Sequence, residues 1–151
     1  MFRLSKKVEY GILSMQYLAD RERTLVSAKE ISDNLELSFE FLAKTLQKLM
    51  KQGLISSTKG IKGGYLLAKP SEEITLSEII EALDSKIFLA ECMDDDHSKA
   101  CARHSNCSIK KPLLLLQNKV TNIFQRTLLS ELKSSKESNY EAKIQIDLRL
   151  N

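Results

Sequence analysis

The sequence predicts a mainly α-helical fold with a small β-hairpin wing: a winged helix-turn-helix domain followed by a long C-terminal helix. Three observations carry that reading. Short amphipathic segments succeed one another through residue 52, a glycine-rich turn then separates two strand-like runs, and a proline later opens a segment with apolar residues at spacings of three and four.

Residues 6–20 read as the first helix, with Val8, Ile12, Met15 and Ala19 on one face and Gly11 and Leu18 beside it. Ser27 can cap a second helix, and Glu30 three residues on completes a capping-box pattern. Ala28, Ile31 and Leu35 form its buried stripe. Ser38 is placed to cap a third helix reaching about Gln52, with Leu42, Leu46, Leu49 and Met50 inward. Glu40, Lys44, Gln47, Lys48 and Lys51 line its opposite face, and Gly53 stands where a left-handed residue would end it. Leu54 to Thr58 and Tyr65 to Ala68 read as paired strands, joined by a turn from Lys59 to Gly64 whose three glycines permit positive backbone angles. Pro70 ends the second strand.

Thr75 and Glu78 make another capping box, opening a short helix with Leu76, Ile79, Ile80 and Leu83 inward. Residues 90–111 read as a polar loop. Pro112 suits the first position of a long helix, where Leu113, Leu116, Val120, Ile123 and Thr127 form nearly a coiled-coil seam. The tail beyond Lys133 is polar and lysine-rich, and the alternation of Ile144, Ile146, Leu148 and Leu150 is either a terminal strand or no ordered element. The expected divisions are a winged domain over 1–84, a cysteine-bearing loop over 85–111, the long helix over 112–132 and a tail over 133–151.

Hydrophobic content of 42% and charged content of 28% are those of a soluble globular protein. The longest pure aliphatic run, Leu113 to Leu116, is far short of the roughly 20 residues a membrane span needs. Glu9, Ser14 and Gln16 make the N-terminal segment too polar for a signal-peptide core. A cytoplasmic protein without a membrane partner is expected.

The net charge of +3 is unevenly placed. Ser38 to Lys69 holds six lysines against one acid, Glu40, whereas Glu91 to Asp96 is acidic. A basic helix face joined to a basic wing points to double-stranded DNA. In this layout the third helix enters the major groove by its N-terminal end. Ser38 and Glu40 are therefore candidates for base or backbone contact, a carboxylate being able to accept from cytosine N4. Lys44 and Lys48 would meet phosphates, and Lys59 and Lys62 would carry the wing to the neighbouring groove or backbone. A solvated charged helix face accounts for a single lysine but poorly for this combination.

The chain has three cysteines, Cys92, Cys101 and Cys107, all within sixteen residues. An odd number excludes a fully paired disulfide set within one chain, and thiols this close in a reducing compartment suggest ligands or redox groups. His97 and His104 lie among them, so zinc is an alternative, although the usual paired short spacing is missing.

The chain resembles the Rrf-two family of winged-helix transcriptional regulators, which includes iron–sulfur sensors. The resemblance spans about residues 2–132. It rests on Leu4-Ser5-Lys6 through Tyr10, Ser27-Ala28-Lys29-Glu30-Ile31, Gly53-Leu54-Ile55 through Gly63-Gly64-Tyr65-Leu66-Leu67-Ala68, Glu73-Ile74-Thr75-Leu76, and the cysteine triplet before a long helix. It implies a homodimer joined through that helix on a palindromic operator, with the three cysteines holding a two-iron or four-iron cluster. Such a cluster needs four protein ligands. Some members use a histidine shortly after the last cysteine, where this chain has Lys110; in others an acidic residue of the partner subunit's first helix serves, and Glu9 occupies that position. Eight residues separate Cys92 from Cys101, more than the five typical of the family, while the five between Cys101 and Cys107 match it.

The reading is therefore a cluster-controlled DNA-binding regulator responding to iron–sulfur status, redox state or nitric oxide. Its rivals are a clusterless regulator working through thiol oxidation, and a winged helix used as a protein-interaction module. An enzyme is not expected: nucleophile and phosphate-cradling motifs are missing.

Overall fold

The computed structural model describes residues 4–84, 88–90, 93 and 106–132. Helices α1 (Lys6–Ala19), α2 (Ala28–Asn34) and α3 (Phe39–Lys51) lead into strands β1 (Ile55–Thr58) and β2 (Gly64–Leu67), then α4 (Leu76–Leu83) and α5 (Lys110–Arg126). Short 3-10 turns span Ser71–Glu73 and Leu129–Leu132. This is the winged helix-turn-helix order expected. Among the described residues no helix is long and apolar enough to cross a membrane.

The core forms where α1, α3 and α4 converge. Val8, Met15 and Leu18 of α1 meet Leu42, Leu46 and Leu49 of α3 and Ile79, Ile80 and Leu83 of α4, with Ile31, Val26 and Ile74 closing the edges. Gly11 lets α1 and α4 approach, because a Cβ there would come within 2.0 Å of Leu83 Cδ1. The stripe of α2 is only partly sealed: Ile31 is buried, whereas Ala28 and Leu35 pack half-buried against the core. Met50, expected inward, is 37% exposed, its sulfur accepting a hydrogen bond from Ser57 Oγ at 3.1 Å. It lies in the last turn of α3, beside the first strand of the hairpin.

Local chemistry explains most boundaries. Ser5 caps α1, and Ser27 Oγ accepts from the Glu30 amide at 3.1 Å. The second arm of the Ser27 box is not made. Glu30 instead accepts from Tyr17 Oη at 3.2 Å and faces Arg21 at 3.8 Å, and Arg21 also covers the Tyr17 ring at 3.6 Å. Burial pushes the Tyr17 hydroxyl above its ordinary pKa, against the opposing charge of Arg21. Gly53 has φ +72°, with its amide bonded to Met50 O and the Leu54 amide to Leu49 O, a Schellman ending for α3. Helix α2 ends by the same Leu37-to-Ser32 closure, but Glu36 holds the left-handed position, φ +52°, so no glycine marks the turn between α2 and α3.

The hairpin is antiparallel, Ile55 opposite Leu67 and Thr58 opposite Gly64. Val26, just before α2, adds a one-residue bridge: its amide donates to Tyr65 O at 3.0 Å and its carbonyl accepts from the Tyr65 amide at 2.8 Å. The wing is thereby fastened to the helical body.

Both arms of the Thr75–Glu78 capping box are present, and Lys69 Nζ reaches Glu78 Oε1 at 2.7 Å. Partial burial works against the Glu78 carboxylate, but hydrogen bonds from Lys69 and the Thr75 amide outweigh it and hold its pKa below the usual carboxylate range. A depressed folded-state pKa contributes stability above the unfolded value of about 4.3, and that stability is lost as pH falls through the folded value. Thermal melts of wild type and Glu78→Gln should thus differ most near neutrality, with wild type the more stable. The gap should close below about pH 4.

Helix α5 starts at Lys110, so Pro112 is its third residue rather than its first. The first amides of a helix have no intrahelical acceptor, so proline is equally tolerated there. The helix ends at Arg126. Residues 127–132, grouped above with it, turn back: the Leu76 amide donates to Thr127 O and the Leu129 amide to Ile74 O, each at 2.8 Å, and Leu129 is fully buried. Gln16 of α1 donates its side-chain amide to Leu132 O. The tail beyond Lys133 lies outside the described residues.

Candidate nucleic-acid interface and sensor residues

The recognition surface is built on α3. Leu42, Thr45, Leu46 and Leu49 face inward, which leaves Glu40, Lys44, Gln47 and Lys48 exposed on the opposite side. Lys44 and Lys48 are one turn apart. Ser38 takes the extended N-cap conformation, yet its hydroxyl makes no capping hydrogen bond. That corrects the capping role read from the sequence and leaves an exposed hydroxyl at the helix entrance.

Helix α1 seats this entrance. Tyr10 Oη accepts from the Ser38 amide at 3.4 Å, and the Tyr10 ring meets Phe41 edge-on, centroids 5.0 Å apart and planes at 78°. Thr45 Oγ1 donates to Phe41 O at 2.9 Å inside the helix.

The wing carries Lys59 and Lys62, both exposed, with Ile61 fully exposed between them. Gly60 has φ +118°, and the Gly63 amide closes on Gly60 O at 2.9 Å. A Cβ on Gly63 would stand 2.1 Å from Thr58 O. The tip is a tight turn that requires glycine at positions 60 and 63.

Of the sensor candidates, Glu9 and Cys107 fall among the described residues. Cys92, Cys101, His97 and His104 lie outside them. Glu9 sits in the first turn of α1 with its side chain 38% exposed and accepts from Lys6 Nζ at 2.6 Å. Cys107 is half-buried just before α5, and its carbonyl accepts from the Lys110 amide at 3.4 Å. Among the described residues no three histidine, cysteine or acidic groups converge.

The seam of α5 is only partly covered, with Leu113 and Val120 half-buried. Leu116 is 49% and Ile123 61% exposed, and no residue of the helix is fully buried, whereas Phe124 on the neighbouring face packs against the core. Phe39, which opens α3, is a second exposed apolar side chain of consequence. In the sequence one aromatic at a helix start carries no periodic signal.

Residues 4–135 match the model of the Rrf2, or Rrf-two, family, described as an iron-dependent transcriptional regulator. The chain is 31% identical over 109 residues to the HTH-type transcriptional regulator NsrR of Shouchella clausii, covering 72% of each. It is 29% identical over 136 residues to the HTH-type transcriptional regulator IscR of Photorhabdus laumondii, covering 89% of this chain and 81% of that protein. Among solved structures it superposes with a TM-score of 0.72 on CymR, the global cysteine regulator of B. subtilis, at 27% identity over 89% of this chain and 98% of the other. A family match over nearly the whole described chain, on a winged helix with an exposed basic recognition face, identifies it: the protein belongs to the Rrf2 family of transcriptional regulators.

Proposed function

We propose that the protein is a homodimeric cytoplasmic regulator that binds a palindromic operator and whose affinity for it is set by an iron–sulfur cluster. Ser38 and Glu40 would address the major groove, Lys44 and Lys48 the phosphates, and Lys59 and Lys62 the strand beyond the wing. The seam, with Leu116 and Ile123 exposed and Leu113 and Val120 half-buried, would bury itself against the same helix of a second copy.

The donor set fits a cluster: three thiols in one chain supply soft ligands, and Glu9 offers an accessible carboxylate from the partner subunit. Cys92, Cys101, Cys107 and Glu9 are the proposed ligands. When bound, the cluster would supply a redox-labile cross-link between the cysteine loop of one subunit and α1 of the other.

The observation that carries the regulatory part is the adjacency of Glu9 and Tyr10. Tyr10 is the residue that holds the entrance of α3 through Ser38 and Phe41. A restraint applied at Glu9 therefore acts one residue from the group that seats the recognition helix. Ligand binding at Glu9 would compete with the Lys6 ammonium for the carboxylate. Cluster state and operator affinity are then coupled reciprocally.

Protein prepared without oxygen tests this. Wild type should carry iron and acid-labile sulfide, Cys107→Ser should carry neither, and Glu9→Ala should fold normally but lose iron faster. Equal operator affinity with and without the cluster would remove the sensing role.

A second reading is supported by the similarity to CymR, a cysteine regulator. In it the thiols act by reversible oxidation and no metal is held. Colourless protein from anaerobic cells, with operator binding that responds to thiol oxidation, would select it.

A further inference from the structure

Phe39 is unexplained by packing. It is the first residue of α3, its side chain is 48% exposed, and it is not among the partly buried side chains packed on the core. Its neighbour Phe41, at 37%, at least has the Tyr10 ring against it. An aromatic ring in water at this position loses the burial that normally stabilises such a residue. Its surroundings are polar: the uncommitted Ser38 hydroxyl precedes it and Glu40 follows it. Ala43, one turn along the same edge of the helix, adds only a methyl group and is partly exposed.

The N-terminal turn of the second helix in a helix-turn-helix unit is the part that reaches base edges. Few apolar groups line the floor of the major groove, and the thymine C5-methyl is the one that distinguishes a base pair there. Phenyl and methyl side chains are suited to it, while cytosine offers an amino donor and no methyl.

We propose that Phe39 is a specificity-determining residue that reads a thymine methyl in each half of the operator. The inference rests on the DNA-binding reading above and adds to it a base preference that the polar residues of α3 cannot supply. Glu40, beside it, would favour a cytosine amino group, so the two residues prefer different pyrimidines.

The test starts from duplexes that the full-length wild-type protein selects from a random pool. Each is resynthesised with deoxyuridine replacing thymidine one position per half-site at a time, which removes only the methyl. One position should weaken wild-type binding about fourfold per half-site, the worth of burying one methyl. Phe39→Ala should bind more weakly and be indifferent to uridine at that position, while Phe39→Leu should retain part of the sensitivity. If wild type selects a sequence yet no uridine replacement matters, or Phe39→Ala is as sensitive as wild type, Phe39 does not read a methyl and the DNA-binding reading stands. If wild type selects no sequence at all, the DNA-binding reading itself fails and this inference with it.

Discussion

Replacing Lys44 and Lys48 by alanine together should weaken operator binding about a thousandfold at 0.1 M salt, because each phosphate contact contributes a slope of roughly −0.9 in log affinity against log salt. In the proposed dimer two lysines in each half would make four contacts, so the slope itself should become shallower by about 3.6. Both side chains are exposed and clear of the core, so the melting temperature should hardly move. Titrations of a selected duplex at several salt concentrations provide the readout. An unchanged slope would show that these lysines are merely solvated, and a loss confined to one sequence would assign them to base reading instead.

The second large effect is expected at Gly64. A Cβ there would sit 2.7 to 2.9 Å from the carbonyl oxygen, carbon and nitrogen of Val26, which are backbone atoms with no rotamer to escape into. Gly64→Val should break the Val26–Tyr65 bridge and cost about 2–4 kcal/mol, the range of severe overpacking. In a chain of this size that is a fall of roughly 5–15 °C in melting temperature. Operator affinity should fall with it, since the wing loses its hydrogen-bonded link to Val26. Gly53→Ala provides the contrast: nothing stands within 4 Å of its added methyl, and only the positive φ opposes the change, so a loss near 1 kcal/mol is expected. Equal stability of the two variants would show that backbone approach at Gly64 is not limiting.

The two glycine results bear on how much could be read in advance. Gly53 was legible as a helix ending, because a glycine after an amphipathic run has one common meaning. The Gly63–Gly64 pair was legible as a turn, but the requirement for Gly64 comes from Val26, nearly forty residues away and part of no strand pattern. A bridge one residue long has no periodicity to detect. The turn between α2 and α3 was hidden for a related reason: Glu36 adopts a left-handed conformation without the residue type that advertises it.

The candidate site divides in the same way. The lysines and Glu40 followed directly from helical spacing, since a face opposite leucines must be solvated. The uncommitted hydroxyl of Ser38 did not, because a serine before a helix reads as a cap whether or not its oxygen is used. Nor did Tyr10 stand out, whose role at the entrance of α3 depends on an edge-on contact across two helices. Thr127 to Leu132 contains neither proline nor glycine, so its composition continues a helix, and only its pairing with Ile74 and Leu76 turns it back.

That returning segment determines how force would travel through the molecule. With its far end pinned to the start of α4 and to Gln16 of α1, helix α5 resembles an oar held in a rowlock. A displacement at its N-terminal end, beside Cys107, would be carried along the helix to that pivot and so to α1 and α4.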